Sequence, residues 1–310
     1  MTGSGKEVSR LSNVIDNVSE NDRDERKSMY KLFPDKDVKC TRISIPCRDG
    51  RHMPALVVAP GIPKKNAPGI LWIHGGGYMT GMKEMVHMSR AIDLVKNYGA
   101  TVISPGYRLS FRKPYPAAIE DCYDALLYLK NHADELEINR NQIMAGGESA
   151  GGGLCVALCM MARDTGAVNI AYQMPLYPML DNFDTETSAD NHGKVWNTRK
   201  NHIAWKLYLR KDARKKVSPY AAPARQTDYE DLPPAYSFVG DGEPFYAETC
   251  TYINNLKKAG IEAELDVYHS NMHAFDMMKP QLEISRQAAL AFNRHFEYAM
   301  DYYFAENFLK

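Results

Sequence analysis

The chain has 310 residues, 45% of them apolar and 25% charged, which excludes a disordered or fibrous protein and leaves material for one large or two small cores. Lys plus Arg and Asp plus Glu each number 38, so no overall field is present to hold nucleic acid or an anionic membrane. No apolar run approaches the roughly 20 residues of a membrane helix, MTGSGKEVSR lacks the apolar stretch of a secretory signal, and the six cysteines form no Cys-x-x-Cys pair, so a cytoplasmic location is expected.

Residues 1–38 are polar, with a charged cluster at Glu20–Lys27 followed by Met29, Tyr30, Leu32 and Phe33. This predicts a solvated helix with one apolar end, stopped at Pro34. Ile43, Ile45 and Ala55–Ala59 lie on either side of a Cys-Arg-Asp-Gly turn, the pattern of an antiparallel hairpin. Strand-like runs follow at Ile70–Ile73, Thr101–Ser104, Gln142–Ala145, Ile170–Met174, Tyr236–Val239 and Glu264–Tyr268. Helical patterns separate them at Glu84–Asn97, Pro116–His132, Ala150–Arg163 and Pro244–Ala259, with a last one near Glu283–Tyr303. Such alternation specifies an α/β fold, a mostly parallel sheet covered by helices on both faces. Between Tyr177 and Leu232 the rhythm breaks. That interval holds one helix, about Asn201–Arg210, and apolar surface at Trp196, Trp205, Leu207 and Tyr208, which makes it a candidate lid.

The chemistry concentrates in four places. Gly147-Glu148-Ser149-Ala150-Gly151 follows a strand and precedes a helix, the context in which G-x-S-x-G lifts a serine hydroxyl out of a sheet. His74-Gly75-Gly76-Gly77 closes another strand, and its glycines free backbone N–H groups to face a ligand. A developing oxyanion needs such donors, and Gly75, Gly76 and Ala150 are those implied. Neither phosphate-loop pattern is present. The serine needs a base, and His273 lies just past the last strand; His269 four residues earlier suggests a metal pair, but no third ligand cluster accompanies it. The base needs an acid, and Gly240-Asp241-Gly242-Glu243-Pro244 offers two. The order serine, acid, histidine is that of α/β-hydrolases; spacing does not choose between Asp241 and Glu243. Cys155 and Cys159, one helical turn apart, read as small core residues.

With these motifs in view, the sequence resembles the hormone-sensitive-lipase-like esterases of the α/β-hydrolase fold. The resemblance rests on His74–Gly77, Tyr107-Arg108-Leu109, Pro114–Ala118 with Asp121, Gly147–Gly152, Tyr177–Asp181, Gly240–Glu248 and His273-Ala274-Phe275. It implies a helical cap over the site, with 40–180 and 218–310 as the catalytic domain and 1–39 and 181–217 as the cap. It also lays Glu243 on the family's catalytic aspartate, with Asp241 still in play as the acid. Ala247 replaces a second family aspartate, and Ala274 stands where glycine is commoner.

The expectation is therefore a serine carboxylesterase acting on small, short-acyl esters through Ser149, His273 and Glu243, without metal or organic cofactor. Its partner is a small-molecule ester rather than nucleic acid or membrane, and a homodimer is left open. An amidase or acyltransferase with the same triad is the nearer rival. A ligand-binding protein on a disabled scaffold, as in the gibberellin receptors of this fold, is the more distant one.

Overall fold

The structure, a computed structural model, describes residues 37–62 and 64–305. The hairpin expected from Ile43, Ile45 and Ala55–Ala59 is present as β1 (Val38–Pro46) and β2 (His52–Pro60), paired antiparallel with Ile43 opposite Ala55 and Ile45 opposite Met53. Because β1 begins at Val38, the last two residues assigned above to an N-terminal cap pair within the sheet instead, opposite Pro60 and Ala59.

The remaining strands are β3 (Ala67–Ile73), β4 (Thr101–Pro105), β5 (Ile138–Glu148), β6 (Tyr172–Leu176), β7 (Ala235–Gly240) and β8 (Ala263–Tyr268). They form one sheet in the order β1-β2-β4-β3-β5-β6-β7-β8. β2 runs antiparallel to β4, and every pair from β4 to β8 is parallel. β3, β4, β6 and β7 are buried at every position, as continuous apolar runs require when helices cover both faces.

Period-two alternation decides which residues meet which layer. Leu71, Ile73, Ile103 and Ala145 face α2 (Ala117–Asn131), α3 (Ala150–Thr165) and α5 (Tyr246–Lys258), where Leu126, Leu154 and Ile253 complete one core. Ile70, Trp72, Val102 and Met144 face the other way, toward α1 (Ala91–Tyr98) and α7 (Glu283–Tyr302), with Leu94, Phe292 and Phe296. Between these helices lie α4 (Thr198–Leu209), within the irregular interval, and the single-turn α6 (Phe275–Met278).

One predicted helix is divided. The pattern over Glu84–Asn97 becomes a short 3₁₀ turn, Lys83–Met88, and then α1. The Ser89 hydroxyl accepts the Ala91 N–H at 3.1 Å and donates to the Val86 carbonyl at 2.9 Å, so it ends one segment and starts the next. α1 closes on Gly99 at φ +76°, whose N–H reaches Val95 while that of Ala100 reaches Leu94. The left-handed glycine with its 5→1 bond to Val95 is an αL helix stop. The turns after β3, β5, β7 and β8 open on the C-terminal edge of the parallel strands, where open α/β sheets bind ligands.

Candidate active site

The passage from β5 into α3 is abrupt. Ser149 sits at φ +57°, ψ −120°, a conformation that strains any residue with a Cβ. It is held from both sides: its N–H donates to the Leu176 carbonyl at 3.0 Å, and its own carbonyl accepts the Gly153 and Met179 N–H groups at 2.9 Å. The hydroxyl thereby points away from the sheet at the N-terminus of α3, where the first N–H groups lack partners within the helix. His273 Nε2 lies 2.8 Å from Ser149 Oγ.

The other imidazole nitrogen, Nδ1, is bonded to Glu243 Oε2 in a short contact. Ser149, His273 and Glu243 are all buried, with Glu243 only 1% exposed. Burial pushes the Glu243 carboxyl above its ordinary pKa, and His273 opposes that shift as its partner. Asp241 faces the other way. Its carboxylate accepts from His269 Nδ1 at 2.9 Å and from the Ser270 N–H at 3.1 Å, and its side chain is 39% exposed. The hydrogen bond from His269 holds it below the usual carboxylate range. His269 is thus occupied at the surface, and among the described residues no group of three His, Cys, Asp or Glu could hold a metal.

The glycine loop after β3 closes over the serine. A Cβ built on Gly75 would stand 3.3 Å from Ser149 Cβ, and Gly76 takes φ +114°, where a Cβ would lie 2.2 Å from the Thr80 carbonyl oxygen. Neither the Gly75 nor the Gly76 N–H donates to a backbone carbonyl among the described residues. His74 anchors the loop from below. Its Nδ1 bonds the Gly75 carbonyl at 2.8 Å, its ring stacks on Tyr107 at 4.2 Å, and burial lowers its pKa to about 4, so it is neutral at neutral pH. Tyr107 donates to the His74 carbonyl at 2.9 Å. The neighbouring Arg108 grips buried Asp121 through its backbone N–H at 2.8 Å, and Arg51 joins it at 2.7 Å.

The irregular interval lies against this site. Trp196 approaches Gly77 so closely that a Cβ there, at φ +60°, would meet its ring at 2.2 Å. Tyr208 stacks on Tyr78 at 4.1 Å, and Trp205 packs beside it at 5.4 Å. The N-terminal helix expected to end at Pro34, with its apolar Met29, Leu32 and Phe33 assigned above to the cap, lies outside the described residues.

Sequence reasoning missed how aromatic the imidazole's surroundings are. Tyr177 and Phe245 stand edge-on to His273 with centroids at 5.2 and 5.0 Å, and Trp196 lies at 6.4 Å. Tyr177 and Phe245 belong to motifs quoted above, but motif letters alone do not give a ring a direction. Glu148, read as a neighbour of the nucleophile, is buried and accepts from Trp72 Nε1 at 2.9 Å. Burial first, and then the nearby Asp276 charge, raise its pKa to about 8.

Residues 70–277 match the family model of the alpha/beta hydrolase fold, and the chain belongs to that family. It is 26% identical to ethyl acetate hydrolase from Pseudomonas putida over 78% of this chain and 77% of that protein. It is 27% identical to carboxylesterase NlhH from Mycobacterium tuberculosis over 72% of this chain and 71% of that one. Among solved structures, a bacterial heroin esterase superposes with a TM-score of 0.79 at 29% identity, covering 91% of this chain and 94% of that one. An esterase from Pyrobaculum calidifontis superposes with a TM-score of 0.75 at 30% identity, covering 90% of each.

Proposed function

We propose that this α/β-hydrolase is a serine carboxylesterase that cleaves small esters through an acyl-enzyme on Ser149. The observation that carries the reading is the continuous row from Glu243 through His273 to Ser149 Oγ, beside a loop in which the Gly75 and Gly76 N–H groups donate to no backbone carbonyl among the described residues. Ser149 Oγ attacks the ester carbonyl while His273 Nε2 takes its proton. Glu243 keeps the other imidazole proton on Nδ1 and stabilises the imidazolium. The oxyanion rests on the N–H groups of Gly75, Gly76 and Ala150, where preorganised donors at a helix N-terminus cost no reorganisation. Collapse expels the alcohol, which takes the proton from His273. Water, deprotonated by the same nitrogen, then releases the acid.

Substrate size follows from the cover. Trp196 is seated on Gly77 beside the imidazole, which narrows the approach and favours acyl groups of about two to six carbons. The names of the related esterases support the ester class. A panel of p-nitrophenyl esters from acetate to dodecanoate, acetylated sugars and the matching anilides tests the reading. The expected result is the highest kcat/KM on short-chain esters, with anilides at least about 100-fold poorer. Preference for anilides, or acyl transfer outrunning hydrolysis, would replace it with the amidase or acyltransferase alternative.

A further inference from the structure

Beside the imidazole runs a buried polar chain that the proposed chemical steps leave without a role. Tyr177 and Asp276 are fully buried, and the Arg90 side chain is 12% exposed. The Tyr177 hydroxyl donates to Asp276 Oδ1 at 2.9 Å, and Arg90 Nε lies 3.4 Å from Asp276 Oδ2. Arg90 itself is held by Asp93 at 2.9 Å. At the other end, the Tyr177 ring stands edge-on to His273 at an interplanar angle of 80°. The segment before α1 is thus linked, through three side chains, to the histidine.

Packing alone does not require this arrangement. A phenylalanine would fill the same ring volume, and burying an arginine–carboxylate pair brings a desolvation cost that good geometry only offsets. The backbone around the imidazole is strained as well. Ser149, Tyr177 and Ala274, none of them glycine, take φ of +57°, +35° and +55°. Such strain persists where the surroundings over-determine it, and it concentrates at functional sites. The Tyr177–Asp276 bond also ties the end of β6, where the Tyr177 N–H donates to the Phe238 carbonyl at 3.0 Å, to the turn three residues beyond His273.

We propose that Tyr177 and Asp276, braced by Arg90, are positioning residues that fix the plane of the His273 imidazole. An edge-on aromatic contact tolerates sliding; the hydroxyl-to-carboxylate bond removes that freedom. The ring is then held with Nε2 toward Ser149 and Nδ1 toward Glu243. This inference rests on the reading of His273 as the catalytic base.

The test compares Tyr177→Phe, Asp276→Asn and the double variant with wild type, each normalised to active sites titrated with an organophosphate. Loss of near-attack geometry lowers kcat by about 10- to 100-fold, with KM within about twofold. The double variant should be no worse than the poorer single one, because both break the same chain. The low-field proton resonance of the His273–Glu243 hydrogen bond should shift or broaden in each. Tyr177→Phe keeps the ring and guards against a folding failure in Asp276→Asn. Lowered Tm with unchanged kcat per titrated site and an unchanged resonance would overturn the inference. If wild type itself takes no label and turns over no ester, the base reading fails and this inference falls with it, an outcome recognisable before any variant is made.

Discussion

Replacing Glu243 by glutamine keeps the volume of a side chain that is 1% exposed and removes only its charge and its acceptor preference. The amide can present an N–H to His273 Nδ1, which moves the ring proton to Nε2 and leaves no lone pair facing Ser149 Oγ. The imidazolium that must form during attack also loses its counter-charge. Serine-protease experience puts that combination at about 10⁴ in kcat, or about 5 kcal/mol of transition-state stabilisation. Glu243→Asp retains the charge but withdraws it by roughly one carbon–carbon bond, about 1.5 Å. A displacement of that size costs about 10². Asp241→Asn alters a surface contact with His269, a residue whose side chain is 98% exposed, and should leave kcat within about twofold. Steady-state kinetics on p-nitrophenyl acetate, with Tm recorded for each variant, gives the ranking. If Asp241→Asn were the crippling change and Glu243→Gln stayed near wild type, the assignment of the acid and the inward geometry behind it would both be wrong.

Gly76→Ala places a Cβ 2.2 Å from the Thr80 carbonyl oxygen at φ +114°; moving that loop should lower kcat by about 10²–10³, and a folded variant with full activity would contradict the oxyanion placement. Ala274 sits at φ +55°, so Ala274→Gly should relieve about 1–2 kcal/mol of left-handed strain and return about 0.5–1 kcal/mol through unfolded-state entropy; the urea midpoint should hold or rise, and a clear fall would refute it. Glu148 has a folded pKa of about 8 against an ordinary 4.5, so the native state keeps a proton that the unfolded chain releases, and stability falls as pH rises through that window. Glu148→Gln cannot titrate and should flatten the dependence of Tm on pH between 5 and 8; an unchanged slope would show that Glu148 does not hold that proton.

Much of this organisation was legible in the residues. Apolar runs located β3, β4, β6 and β7 because strands buried on both faces leave long apolar signatures, whereas the partly exposed edge strand β8 showed only as a short run in the strand–helix rhythm. Gly147–Gly151 and His74–Gly77 stood out because sharp turns beside a nucleophile tolerate few residue types. Asp241 and Glu243 were harder, being two carboxylates in one turn. Which one turns inward depends on the path of the backbone toward α5, which composition does not encode. The division of the helix at Ser89 was hidden too, since one hydroxyl overrides an otherwise continuous apolar stripe. The link from Arg90 to Asp276 joins residues 186 positions apart, and only the fold brings them together.

The most direct test of the central claim is the site of covalent labelling. The protein is incubated with a fluorophosphonate, digested and sequenced by mass spectrometry, with Ser149→Ala and His273→Ala as controls. The account predicts one adduct, on Ser149, formed in step with loss of esterase activity, absent in Ser149→Ala and slowed by orders of magnitude in His273→Ala. A stoichiometric adduct on any other serine, or full ester turnover by Ser149→Ala, would contradict it.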